Sequence, residues 1–121
     1  ARAAVARGAR AIALVSSVGA DARSRTFYLR TKGELEVALQ ELPFGSREYM
    51  RPSFLVGDRG EARPGERLGI GVFRALAPAL AGPLKKYRAI NAQDVALAMV
   101  RSLLEGRPGT RVHEWTDLQR P

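Results

Sequence analysis

The stretch AIALVSSVGADARSRTFYLRTKGELE, Ala11 to Glu36, decides how this chain folds. Ala11 to Val15 is an unbroken apolar run of strand length, the pattern of a strand buried on both faces of a parallel sheet. Ser16-Ser17, Gly19 and the polar residues to Arg25 then form a loop. From Thr26 to about Leu42 the apolar positions Leu29, Leu35, Ala38, Leu39 and Leu42 recur at three- and four-residue spacing, with Glu34, Glu36 and Glu41 among them. This spacing predicts a helix, closed by Pro43 and Gly45.

Working outward, ARAAVARGARA at the start reads as the end of an amphipathic helix stopped at Gly8. Helix, buried strand, polar loop and helix together make an α/β unit read from its middle. Downstream, Tyr49 to Val56 reads as a second strand, ended by Arg51-Pro52 because proline cannot donate to a sheet ladder. Gly57 to Pro64 is turn-rich. Leu68, Val72, Phe73, Leu76 and Leu80 mark another helix, weakened by Gly69 and Gly71 and kinked or ended by Pro78. A short extended piece from Tyr87 to Ile90 leads to Asn91, a good amino-terminal cap, and Asp94 follows in the first turn. The helix VALAMVRSLLE then runs to Gly106, and Thr110 to Trp115 reads as a last short strand before a polar tail.

The 121 residues, 45% of them hydrophobic, suffice for one modest domain and not two. There is no cysteine and one histidine, which excludes disulfides and thiolate chemistry and leads us to expect a metal-free protein. No apolar run is of membrane-spanning length and no cleavable signal opens the chain, so no membrane partner and a cytoplasmic location are expected. The net charge of +8 could serve a polyanion. However, the basic residues are scattered, and Lys85, Lys86 and Arg88 make the only short cluster, most simply a solvated turn. Nucleic acid is therefore disfavoured as a partner.

Tyr28 and Lys32 lie four residues apart on a helix, so both side chains project from one face. A phenol that exchanges a proton near neutral pH needs its ionisation eased, and a neighbouring ammonium favours the phenolate. A serine at the end of the preceding strand could hold a substrate oxygen, since α/β sheets place functional groups at strand ends. The spacing alone is also that of an ordinary surface pair. His113 reads as a surface residue, Trp115 and Phe73 as packing groups, and Met50 and Met99 as core filler.

The segment VSSVGADARSRTFYLRTKGELE resembles the atypical short-chain dehydrogenases/reductases, NAD(P)-binding Rossmann oxidoreductases, in the branch that includes the human Tat-interacting oxidoreductase. That branch ends a strand in Ser-Ser-x-Gly-Ala and follows it with a Tyr-x-x-x-Lys-Gly-Glu helix. Its later Arg-Pro turn and loop are matched by RPSFLVGDRGEARPGE, Arg51 to Glu66, and the resemblance continues through the helix after Asn91. It implies that Tyr28 exchanges the proton with the substrate oxygen, that Lys32 holds the cofactor ribose and eases Tyr28 ionisation, and that Ser17, or secondarily Ser16, orients the substrate. It also implies that Pro52 and Ser53 lie against the nicotinamide and that Arg51 is structural. The chain departs from the family in having no Gly-x-x-Gly-x-x-Gly turn for the cofactor pyrophosphate, which suggests a carboxyl-terminal part that would not hold a dinucleotide tightly by itself.

The expectation is an α/β fold, the carboxyl-terminal portion of a Rossmann-type parallel sheet with a small substrate-side lobe. Residues 1–56 supply later strands and the catalytic helix, 57–90 the lobe, and 91–121 a closing helix and strand. The expected function is NAD- or NADP-dependent hydride transfer, NADP slightly favoured, on a small carbonyl or alcohol substrate. The alternative is a non-catalytic NADPH-binding regulatory or protein-interaction module, and a homodimer built on the flanking helices or a protein partner is left open.

Overall fold

A computed structural model describes residues 1–56 and 89–119. Its elements are α1 (Arg2–Ala6), β1 (Ala11–Val15), α2 (Phe27–Gln40), β2 (Ser46–Met50), β3 (Phe54–Val56), β4 (Ala89–Asn91), α3 (Ala92–Glu105), β5 (Gly109–His113) and α4 (Trp115–Leu118). The chain is α/β, with β1, β2 and β5 in one parallel sheet in that order and β3 paired parallel to β4. This is the arrangement of a partial Rossmann-like fold. Among the described residues, no helix is long and apolar enough to cross a membrane. The expectations for Gly57 to Arg88 lie outside the described residues. They include the helix through Leu68 and Leu80, Phe73, and the Lys85, Lys86 and Arg88 cluster.

Strand side chains alternate between faces, and two apolar clusters divide accordingly. Ile12 and Leu14 of β1 pack with Tyr49, Leu39, Phe44 and Leu42 on the α2 side. Val15 packs with Met50, Ile90, Val95, Ala98, Met99, Trp115 and Leu118 on the α3 side. Met50 and Met99 are thus core filler, as expected, and Trp115 is a packing group. All five β1 residues are half-buried rather than fully buried. Among the described residues β1 pairs with β2 alone, which leaves its other edge uncovered.

The second strand starts at Ser46, three residues before its expected start at Tyr49, and stops at Met50. The last ladder donor is the Arg51 amide, bonded to the His113 carbonyl at 2.8 Å; Pro52 has no N–H with which to continue. Its early half was hidden by charge. Arg47 donates to the carbonyls of Leu39, Gln40 and Leu42 at 3.1, 3.3 and 2.5 Å, closing the end of α2. Glu48 is completely buried and accepts from Ser46 Oγ at 3.0 Å, from Arg111 Nε at 3.3 Å and from Arg111 Nη2. His113 Nε2 lies 2.7 Å from Glu48 Oε2 and donates to it when the carboxylate is ionised. His113 is therefore half-buried and committed to β2, not the surface residue expected from the sequence.

The last strand ends two residues earlier than expected, and the expected polar tail turns into α4, whose Leu118 is buried in the α3-side cluster. The expected cap of α3 is in place: Asn91 Oδ1 accepts from the Gln93 amide at 3.0 Å, and Gly106 ends the helix at φ 57°. A Cβ at Gly33 would sit 2.2 Å from Ala22 N and 2.3 Å from Asp21 C. Only glycine lets the loop after β1 lie against α2, where the Asp21 amide bonds to the Leu29 carbonyl at 3.2 Å.

Gly33→Ala should cost about 3 kcal/mol, because backbone rather than a movable side chain occupies the space; a urea denaturation midpoint equal to wild type would refute that reading of the contact. For Glu48, burial works to raise the carboxyl pKa. Hydrogen bonds from Arg111, His113 and Ser46, with the Arg111 charge, outweigh it and hold Glu48 below its ordinary value of 4.5. Its contribution to stability is therefore complete above about pH 5 and is lost as the pH falls through the lowered value. Glu48→Gln should cost about 3 kcal/mol at neutral pH and flatten the acid limb of stability against pH. Parallel acid limbs in both proteins would show that Glu48 does not carry it.

Candidate functional site

The carboxyl ends of β1 and β2 gather most of the residues singled out in the sequence. Ser16 and Ser17, both buried, follow β1, and Pro52, also buried, follows β2. The backbone stitches the two ends together, the Ser16 amide to Met50 O at 2.7 Å and the Val18 amide to Pro52 O at 3.0 Å. Ser53 is half-buried beside them. In a parallel sheet this edge is where ligands bind, because the crossing helices leave a crevice there.

The helix α2 reaches the same edge. Lys32 Nζ donates to Val15 O at 3.0 Å, the last carbonyl of β1, and lies 5.8 Å from the centroid of the Tyr28 ring. Tyr28 itself is 55% exposed. The loop joining β1 to α2 is held compact. The Arg23 amide donates to the Asp21 carboxylate at 2.8 Å, and Arg30 Nη1 to Ser24 O at 3.3 Å.

The two serines are not equivalent. Ser16 Oγ donates its proton to Glu36 Oε1 at 2.5 Å, so its one donor is spent inside the protein. Ser17 Oγ makes a long contact of 3.3 Å with its neighbour's carbonyl, Val18 O, and can exchange that for a better partner. Among the described residues no hydrogen bond joins Tyr28 to either serine.

Glu36 was not singled out by the sequence, and it is the busiest side chain here. It is buried, and besides Ser16 it takes a forked pair of bonds from Arg51, Nε to Oε1 at 3.0 Å and Nη2 to Oε2 at 2.5 Å. The hydroxyl of Tyr49 donates to its backbone carbonyl at 3.0 Å. The hydrogen bonds to Glu36 outweigh burial and, with the charges of Glu36, Glu114 and Asp21, push the Arg51 guanidinium above its ordinary range. Burial pushes the Tyr49 phenol up as well. A signal was present: Gly33, Glu36 and Leu39, three residues apart, form the buried face of α2. A glutamate between two inward positions has to find a cation.

A separate cleft of about 610 Å³ lies between α3 and β5, lined by Arg101, Ser102, Arg107, Arg111 and His113 among others. Arg111 and His113 are held there by Glu48, and none of the strand-end residues lines the cleft.

No protein-family model matches the chain. It is 39% identical over 111 residues to "Protein FMP52, mitochondrial" of Coccidioides immitis, covering 91% of this chain and 45% of that protein. It is 36% identical over 102 residues to the fmp52 protein of Aspergillus niger, covering 84% and 43%. To "Protein HTATIP2" of Rattus norvegicus it is 38% identical over 97 residues, covering 80% and 38%. The chain thus spans less than half the length of each of these relatives. The fungal names overturn the cytoplasmic location expected from the sequence, since both describe mitochondrial proteins. That expectation rested on the opening residues and on apolar run length, and neither reports where such a chain is delivered. The chain is similar over most of its own length to the FMP52 and HTATIP2 proteins, and the match to HTATIP2 supports the branch that its sequence resembles.

Proposed function

We propose that this chain carries the proton-transfer end of an NAD(P)-dependent oxidoreductase that interconverts a carbonyl and an alcohol. The observation that supports it most is the Lys32 ammonium at the end of β1, 5.8 Å from the centroid of the Tyr28 ring, with Tyr28 more than half exposed. A nicotinamide dinucleotide, when bound, supplies or accepts the hydride at the substrate carbon. In the reducing direction Tyr28 Oη gives its proton to the substrate oxygen, and in the oxidising direction it takes one back. Lys32 favours the phenolate formed when that proton leaves. Ser17 Oγ donates to the same oxygen and fixes its direction.

The donor set suits the ribose end of such a cofactor. An ammonium has three protons, and Lys32 spends one on Val15 O, leaving two for vicinal hydroxyls. Pro52 and Ser53 border that space and would lie against the nicotinamide. The sequence offers no glycine-rich turn for the pyrophosphate, so the fit covers only the nicotinamide-ribose end. Both NAD and NADP are compatible with these residues. The names of the fungal relatives lead us to place the protein in mitochondria.

The test is turnover of NADH and NADPH by the full gene product against a panel of aldehydes and ketones. Tyr28→Phe should lower turnover by about 100-fold or more with an unchanged circular dichroism spectrum. Ser17→Ala should lower it by roughly 100-fold through loss of one donor to the reacting oxygen, and Ser16→Ala should act mainly on stability. Full turnover by a folded Tyr28→Phe protein would remove Tyr28 from the chemistry.

A further inference from the structure

Helix α3 buries Val95, Ala98 and Ser102 on the side that packs on β1 and β2, with Met99 beside them. Its opposite face is apolar as well. Leu97, Val100 and Leu104 are 67%, 56% and 83% exposed, and Gln93 is exposed in line with them. Spacings of four, three and four residues put all four on one stripe. Single exposed leucines are ordinary on a protein surface, whereas a contiguous apolar stripe marks a place where something docks. The spacing is that of a coiled-coil seam: Leu97 and Leu104 take one core position of a seven-residue repeat, and Gln93 and Val100 take the other.

The two flanks of the stripe differ. On one stand Asp94 and Arg101, both half-buried, and on the other Ala96 and Leu103, neither charged. Asp94 and Arg101 are two turns apart, about 10 Å along the axis, so they are not partners within one helix. Glu105, at the end of α3, is engaged by Arg107 at 3.2 Å.

We infer that this face of α3 is a homodimer interface, on which a second copy of the chain lays its own α3 antiparallel along the stripe. Charge selects both the occupant and the direction. Two copies running parallel set the charged flank of each against the uncharged flank of the other. Turned end for end, they set charged flank against charged flank, and a twofold axis between Leu97 and Val100 brings Asp94 of each copy toward Arg101 of the other. Leu97 then packs on Val100 across the axis, and Leu104 on Gln93 at each end. Arg101 also interacts within its own chain and lines the cleft beside β5. A guanidinium has five N–H donors, so a partner on the second copy adds to those contacts. The seam is short, about 16 Å from Gln93 to Leu104, which puts the interface at the small end of specific ones and the dissociation constant in the micromolar range.

The experiment is sedimentation velocity of the full gene product across the micromolar range, where the native protein should pass from monomer to dimer. Leu97→Glu puts a carboxylate at the centre of the seam and should weaken the dimer by about 100-fold or more with an unchanged circular dichroism spectrum; Leu104→Glu stands in if that variant does not fold. Asp94→Arg and Arg101→Asp each set like charges opposite one another and should each weaken the dimer by about 10-fold. An equal mixture of these two variants should recover the native affinity, because their heterodimer restores opposite charges at both places, and a folding lesion in either is not repaired by mixing. A native protein that stays monomeric would overturn the inference and leave the stripe to another segment of the chain or to a different protein. A dimer untouched by Leu97→Glu would place the contact on another face, and failure of the mixture to recover affinity would exclude the antiparallel pairing.

Discussion

The carboxylate of Glu36 is the point at which three separate pieces of chain meet. It projects inward from α2, takes the hydroxyl proton of Ser16 at the end of β1, and receives both arms of Arg51 at the end of β2. A buried charge of this kind is costly unless its partners are all present, and each bond therefore constrains where its donor can be. The consequence is positional. The helix that carries Tyr28 and Lys32 is pinned to the strand ends at a defined height. Lys32 itself adds a bond to Val15, and Gly33 allows the intervening loop to close over the contact.

The opposite face of β2 repeats the arrangement with different residues. Glu48 is enclosed by Arg111, His113 and Ser46, and this cluster joins β2 to β5 as Glu36 joins it to α2. A strand with a buried glutamate, a half-buried arginine and a buried tyrosine at its centre departs from the apolar strand expected in a parallel sheet. Each polar group is matched, and no buried side-chain polar atom among the described residues lacks a partner.

What the sequence made legible follows from which interactions are local. The apolar run Ala11 to Val15, the helix after it, and the Asn91 cap with its Gly106 stop all depend on residues close together in the chain, and all appear where the pattern put them. Tyr28 and Lys32 share a helix face for the same reason. The start of β2 was misread because Arg47 and Glu48 look like loop residues until their partners, tens of positions away in the case of Arg111 and His113, are brought alongside. His113 was misjudged on the same ground. Arg51 was expected to be structural, and its forked bond to Glu36 could not be read from a sequence in which the two stand fifteen residues apart.

The central claim is that Lys32, held at the end of β1 beside Tyr28, is poised to bind the ribose of a nicotinamide dinucleotide. Fluorescence titration of NADH and NADPH against the full gene product, alongside its Lys32→Met variant, addresses it most directly. The account predicts saturable binding of at least one of them by the native protein and an affinity weakened by about 10-fold or more in the variant, as expected for loss of charge-assisted hydrogen bonds. Absence of binding by the native protein, or equal affinity in a folded Lys32→Met variant, would contradict it.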